Sequence, residues 1–167
     1  MIRMKKYARI LLMMLLLQLP VLMANAQKSK APWPAFRIGL PDATYYSGQD
    51  LKPKGRVLFI YFSPDCEDCQ QFTQALVKQA DRLKKYRVIM VTNTALPPVI
   101  AFREKYGLKK YPNITVGTEG STYVLQRAFN VQRFPFAAMY AGGKLVKTFG
   151  GEAVAMAREV ADMVQKN

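Results

Sequence analysis

Three kinds of hydrophobic pattern alternate along the chain. The segment Arg56–Ser63 (RVLFIYFS) is a nearly continuous apolar run, rich in β-branched and aromatic side chains, closed by Pro64 and Asp65. Such a run predicts a strand buried on both faces. Residues 66–85 change period: Phe72, Leu76, Ala80 and Leu83 recur at helical spacing and form one apolar face. Asp65 is the expected N-cap, with Glu67 and Asp68 in the first turn and Lys84 and Lys85 at the end, an order that suits the helix dipole. Arg87–Thr92 (RVIMVT) predicts a second buried strand, and Pro97–Tyr106 a helix that opens on a proline pair and stops at Gly107.

The flanks follow the same logic. Phe36–Leu40 and Thr44–Tyr46 around Pro41-Asp42-Ala43 predict a short hairpin. Residues 108–120 have no clear period and are expected as an irregular insert, while Thr122–Phe129 is ambiguous between strand and helix. Phe136–Tyr140 and Lys144–Phe149 around Gly142-Gly143 predict a second hairpin. A last helix is expected over 152–165, with Val154, Ala157, Val160, Ala161 and Val164 inward. The order is hairpin, then β-α-β-α-β-β-α. It implies a right-handed parallel β-α-β unit with an antiparallel edge, hence an α/β domain.

The first 26 residues stand outside this pattern. Arg3, Lys5, Lys6 and Arg9 form a basic start, an apolar run extends from Ile10 to Met23, and Ala24-Asn25-Ala26 has the small residues of a cleavage site. This is the layout of a secretory signal peptide. The apolar run is shorter than the ~20 residues needed to cross a bilayer, so cleavage is favoured over anchoring. Residues 27–35 (QKSKAPWPA) are expected as a flexible lead-in to a single domain over 36–167. The protein is thus expected in the periplasm or cell envelope, soluble once cleaved.

Charge and cysteine usage narrow the chemistry. The net charge is +14, and removing the four basic residues of the leader leaves it strongly positive. A basic balance can serve nucleic acid or an anionic membrane. Here the bases are scattered in short pairs such as Lys109-Lys110, and there is no nucleic-acid motif. A solvated basic surface and a monomer are expected, with no nucleic-acid partner. Two cysteines, Cys66 and Cys69, form a C-x-x-C, and the chain has no histidine. A structural zinc site normally wants four Cys or His ligands, and c-type haem attachment wants His where Gln70 stands. No metal and no cofactor is therefore expected. Catalysis through a Ser-His or Cys-His pair is excluded as well. What remains is a redox-active dithiol or a static bridge, and a bridge closing so short a loop would stabilise little.

A buried strand, then Pro-x-C-x-x-C, then a helix, followed downstream by x-Pro before a hairpin and last helix, resembles the thioredoxin superfamily. The resemblance spans about residues 36–165. The N-terminal hairpin and the insert are similar to the envelope thioredoxin-like reductases and the peroxiredoxin-related redoxins. It implies a thioredoxin fold, with a central mixed sheet flanked by helices. It also implies that Cys66 is the exposed nucleophile, Cys69 the buried resolving cysteine, and Pro135 the cis-proline whose loop, with Phe134 before it, binds substrate. The chain departs from the family at Asp65, where Trp is common, and at Ile60, where a proton-relay acid often falls. It also departs at Phe134, usually small or β-branched, and in the Glu67-Asp68 centre of the motif.

The expected chemistry follows from these positions. A helix N-terminus stabilises the attacking thiolate, while Asp65, Glu67 and Asp68 oppose it by like-charge repulsion. A less stabilised thiolate makes the disulfide harder to reduce. The couple is therefore expected nearer thioredoxin, at about −270 mV, than the oxidant DsbA, at about −120 mV. The expected activity is thiol–disulfide exchange on protein or small-molecule disulfides, with electrons from a membrane or soluble donor. Two alternatives are a non-enzymatic binding module using the groove at Phe134 and, less favoured, a peroxide-reducing redoxin. The latter would want T-x-x-C where Ser63 stands. Asn113-Ile114-Thr115 matches a glycosylation sequon, a pattern that often arises by chance.

Overall fold

The computed structural model describes residues 32–166, so the leader expected over 1–26 lies outside the described residues. Seven strands form one mixed sheet: β1 (Arg37–Gly39), β2 (Tyr45–Ser47), β3 (Val57–Tyr61), β4 (Arg87–Thr92), β5 (Ile114–Thr118), β6 (Phe136–Ala141) and β7 (Lys144–Phe149). Their spatial order is β2-β1-β5-β4-β3-β6-β7. The helices are α1 (Glu67–Val77), α2 (Leu96–Lys105), α3 (Val124–Ala128) and α4 (Ala153–Lys166). Strands β3, β4 and β5 run parallel, and β6 returns antiparallel against β3. The mixed α/β architecture expected from the alternating periods is the one observed.

Burial explains the strand pattern. All five residues of β3 are buried because a layer of side chains covers each face. Leu58, Ile60 and Phe62 join Phe72, Leu76, Leu83 and the inner face of α4 in one core. Val57, Phe59 and Tyr61 join Trp33, Phe36, Ile38 and Leu125 in the other. The two cores follow from the period-2 alternation of side chains along a strand.

Four expectations need correction, among them Val154, which is exposed on α4 rather than inward, and one ambiguity is resolved. The helix expected over 66–85 stops at Val77; Gln79 leaves helical geometry at φ −116° and ψ 18°, and Ala80–Leu83 forms a 3₁₀ turn. Leu83 remains fully buried, so the apolar spacing was right while the backbone that delivers it was not. The insert over 108–120 contains strand β5, paired along its length with β4. Gly117 hides this strand in the sequence. A Cβ there would lie 2.7 Å from the Gly39 carbonyl oxygen, so the glycine permits the close approach of β1 to β5. The ambiguous segment 122–129 holds the short helix α3. In the expected lead-in, Trp33 is buried at 3% exposure, sits edge-on to Tyr140 and donates from Nε1 to the Gly48 carbonyl at 3.3 Å.

Two polar side chains hold loop geometry. The Glu152 carboxylate accepts from the Val154 and Ala155 N–H groups at 2.9 and 2.7 Å, capping α4. These backbone bonds hold its acidity below the ordinary carboxylate value of 4.5, so its stabilising effect is present above that pH and is lost as pH falls. Asn113 of the sequon donates from Nδ2 to the Leu83 and Tyr86 carbonyls at 3.0 and 3.1 Å, a structural use of the amide. Asn113→Ala is expected to lower stability by about 1–3 kcal/mol, because two carbonyls lose their donor. Urea unfolding checks this, and an unchanged midpoint would refute it.

Candidate functional site

The site is built where β3 ends. Tyr61 and Phe62 are still buried, and the chain then turns through Ser63, Pro64 and Asp65. The Cys66 N–H donates to the Ser63 carbonyl at 3.2 Å, and the Gln70 side chain donates to the Pro64 carbonyl at 2.9 Å. Cys66, not Asp65, is the N-cap of α1: it is extended at φ −80° and ψ 120°, and its Sγ accepts the Cys69 N–H at 3.2 Å. A sulfur in the capping position meets the unpaired N–H groups and positive end of the helix, which favour an anion there.

The two cysteines differ sharply in environment. Cys66 is half-buried; Cys69 is fully buried in the core that contains Ile60 and Phe72. The Cys69 Sγ accepts the Ser63 N–H at 3.5 Å. Burial pushes the Cys69 thiol far above its ordinary range, and its hydrogen bond with Cys66 acts in the same direction. Ile60, where the family resembled often carries a relay acid, contributes only apolar surface to this core.

The antiparallel register Tyr61↔Phe136 brings the start of β6 to the same end of the sheet. Phe134 and Pro135 precede it, joined by a cis peptide bond. The Phe134 carbonyl lies 3.9 Å from Cys66 Sγ. The structure therefore gathers Cys66, Cys69, Phe134 and Pro135. Asp65, Glu67 and Asp68 are exposed on the rim, where Glu67 accepts from the Gln71 side chain at 3.2 Å.

A second polar group behind this site escaped the sequence. The Phe134 ring stacks on Tyr61 with centroids 5.6 Å apart and planes 20° from parallel. The Tyr61 hydroxyl donates to Glu119 Oε1 at 2.6 Å. Glu119 is 5% exposed and also accepts from the Leu125 and Gln126 N–H groups, at 2.7 and 3.2 Å, so it caps α3. Burial, then the bond to Glu119, keeps the Tyr61 hydroxyl protonated far above its ordinary range. In the sequence Tyr61 looks like another core aromatic, and Glu119 sits among glycines and polar residues, with nothing to mark it as buried.

Solved structures with the same arrangement of strands and helices were found. A secreted Mycobacterium tuberculosis disulfide oxidoreductase homologous to E. coli DsbE superposes with a TM-score of 0.67 at 17% identity, over 79% of this chain and 96% of that one. The chain has the thioredoxin fold. A thioredoxin-like protein from Porphyromonas gingivalis matches this thioredoxin-fold chain with a TM-score of 0.65 at 20% identity, over 83% and 93% of the two chains. Peroxiredoxin Q from Xanthomonas campestris matches with 0.66 at 11% identity, over 78% and 90%. No family model and no curated protein sequence matches the chain.

The Glu119 cluster gives a direct expectation. Glu119→Ala strands the Tyr61 hydroxyl and the Leu125 N–H and should cost at least about 2 kcal/mol, whereas Tyr61→Phe removes one donor and should cost about 1 kcal/mol. Chemical denaturation of the two variants checks the order; equal losses would contradict it.

Proposed function

We propose that this protein is an exported thiol–disulfide oxidoreductase acting as a disulfide reductase through Cys66 and Cys69. The observation that carries the reading is the asymmetry of the pair. An accessible sulfur caps a helix N-terminus, its partner is fully buried three residues on, and the Phe134 carbonyl stands 3.9 Å from the accessible sulfur. The basic leader with its apolar run and Ala24-Asn25-Ala26 supports export.

In the proposed reaction the Cys66 thiolate attacks a substrate disulfide. A Cys66–substrate S–S bond forms, the substrate S–S bond breaks, and one substrate sulfur leaves as a thiolate. Cys69 then loses its proton and attacks Cys66 Sγ, which releases the second substrate thiolate. The substrate gains two electrons and the protein dithiol is oxidised; a thiol donor, membrane-bound or soluble, must return them. The peptide backbone at Phe134 offers hydrogen-bonding groups to an extended substrate chain. Asp65, Glu67 and Asp68 are exposed beside Cys66 in the sequence and face the solvent from which a substrate approaches.

The hydrogen bonds to Cys66 Sγ, among the described residues, involve Cys69 and Phe134 only. That arrangement suits disulfide exchange more than peroxide reduction, which would want an activating arginine.

Four outcomes test the reading. Cys66→Ser should abolish insulin reduction with dithiothreitol, and Cys69→Ser should accumulate mixed disulfides that dithiothreitol releases. Recovery of no such adducts would argue for a non-enzymatic module. Iodoacetamide should modify Cys66 and leave Cys69 untouched in the native reduced protein. Because Cys69 is held protonated by burial, the resolving step should accelerate steadily from about pH 6 to about pH 9, without levelling off. A plateau near neutrality in stopped-flow traces would mean that another group takes the proton.

A further inference from the structure

Phe134 presents its carbonyl to Cys66, yet little in its own segment fixes the backbone there. Among the described residues, no backbone–backbone hydrogen bond holds 132–135. The segment leaves α3 through two such bonds. The Asn130 N–H donates to the Arg127 carbonyl at 3.1 Å, and the Val131 N–H donates to the Gln126 carbonyl at 2.9 Å. Its far end joins β6 at Phe136, which pairs with Tyr61. Between these points side-chain packing anchors the chain. Pro135 is buried but has no N–H to donate. The half-buried Phe134 ring packs against both cores and lies on Tyr61.

One buried carboxylate serves both supports of this segment. Glu119 follows β5, where its N–H donates to the Thr92 carbonyl at 2.9 Å. Its Oε2 accepts the Leu125 N–H and its Oε1 the Gln126 N–H, which fixes the helix from which the segment leaves. Oε1 also accepts the Tyr61 hydroxyl, which fixes the ring beneath Phe134. Burial keeps Tyr61 protonated, so it remains a donor. The Gln126 side chain closes the group: its Oε1 accepts from the Asn93 amide at 3.3 Å and from the Tyr61 hydroxyl at 3.4 Å. A buried carboxylate is costly unless its oxygens are bonded. Here the bonds that satisfy it lead to the two supports of Phe134.

We infer that Tyr61 and Glu119 are positioning residues for thiol–disulfide exchange, which hold the Phe134 backbone beside Cys66 for a polypeptide disulfide to bond to. The inference rests on the reductase reading of Cys66 and Cys69, and it adds a substrate class. A polypeptide gains affinity from a carbonyl held in place, whereas a disulfide with no peptide backbone gains nothing from it. The chemistry at Cys66 itself should survive loss of either residue. Its Sγ still accepts the Cys69 N–H, a bond in which neither Tyr61 nor Glu119 takes part.

Two substrates separate positioning from general damage: insulin, a polypeptide disulfide, and hydroxyethyl disulfide, which has no peptide backbone. Pre-reduced protein is mixed with excess substrate, and oxidation of the Cys66–Cys69 pair is followed by acid quench and alkylation. Tyr61→Leu removes both the ring and its anchor. It should raise the half-saturating insulin concentration by about threefold to tenfold, the worth of one hydrogen bond. The limiting rate should hold, the mark of lost binding rather than lost chemistry. Its second-order rate constant with hydroxyethyl disulfide should stay within about twofold of wild type. Tyr61→Phe keeps the ring but frees it from Glu119, and should raise the half-saturating insulin concentration by about twofold. In a Glu119→Gln background, Tyr61→Phe should add nothing further, because its hydroxyl acts through that carboxylate.

Asn113→Ala, which weakens the fold at the other end of β5, is the control and should leave both substrates at wild-type values. Circular dichroism checks that each variant is folded. If Tyr61→Leu does not fold, Tyr61→Phe and its combination with Glu119→Gln carry the test. Equal losses on the two substrates, unchanged insulin kinetics in the folded Tyr61 variants, or additive losses in the Glu119→Gln background would overturn the inference. Each of those results leaves the reductase reading intact. A wild-type protein that reduces neither substrate would refute that reading, and the inference with it.

Discussion

Strand β3 is the constraint on which the site depends. Its five residues are covered on both faces, so its register is set twice, once by each core. A slip of one residue would exchange Phe59 and Tyr61 with Leu58 and Ile60 and spoil both packings at once. That double constraint fixes where the strand ends, and the turn that carries Cys66 begins there. The same strand anchors β4 on one side and β6 on the other, so Cys66 and the Phe134–Pro135 segment are positioned by one element.

The difference between the cysteines follows from the helix that leaves β3. Cys66 occupies the cap, where its Sγ meets the Cys69 N–H and solvent. One turn later Cys69 points into the core, as its place on the apolar face with Phe72 and Leu76 requires. No separate device is needed to make one sulfur accessible and the other buried. Glu119 works on the far side of the sheet. It closes the start of a five-residue helix and fixes Tyr61, on which the Phe134 ring rests. Phe134 therefore turns its carbonyl toward Cys66 and its ring toward Tyr61.

The placement of some exposed charges has the same origin. Parallel strands put all their C-terminal connections at one end of the sheet, and antiparallel β6 and β7 add their own connections in register. Asp65, Glu67 and Asp68 stand exposed near Cys66 at one end, and the lysine pairs lie at the other. The burial pattern that builds the domain is indifferent to this sorting, because the residues involved are exposed.

The strands β3, β4, β6 and β7, the first and last helices, and the C-x-x-C with its downstream proline were legible in the sequence. They are written in local pattern: apolar runs, helical spacing and turn residues, each of which acts over a few neighbours. The tertiary structure alone decided that α1 would stop at Val77, that a glycine-containing segment would pair as β5, and that Cys66 rather than Asp65 would cap the helix. It alone joined Tyr61 to Glu119, 58 residues apart, and gathered the lysine pairs on one end. Those outcomes depend on contacts between distant segments, such as the approach of Gly117 to Gly39, and nothing in a local window records which backbone will come that close.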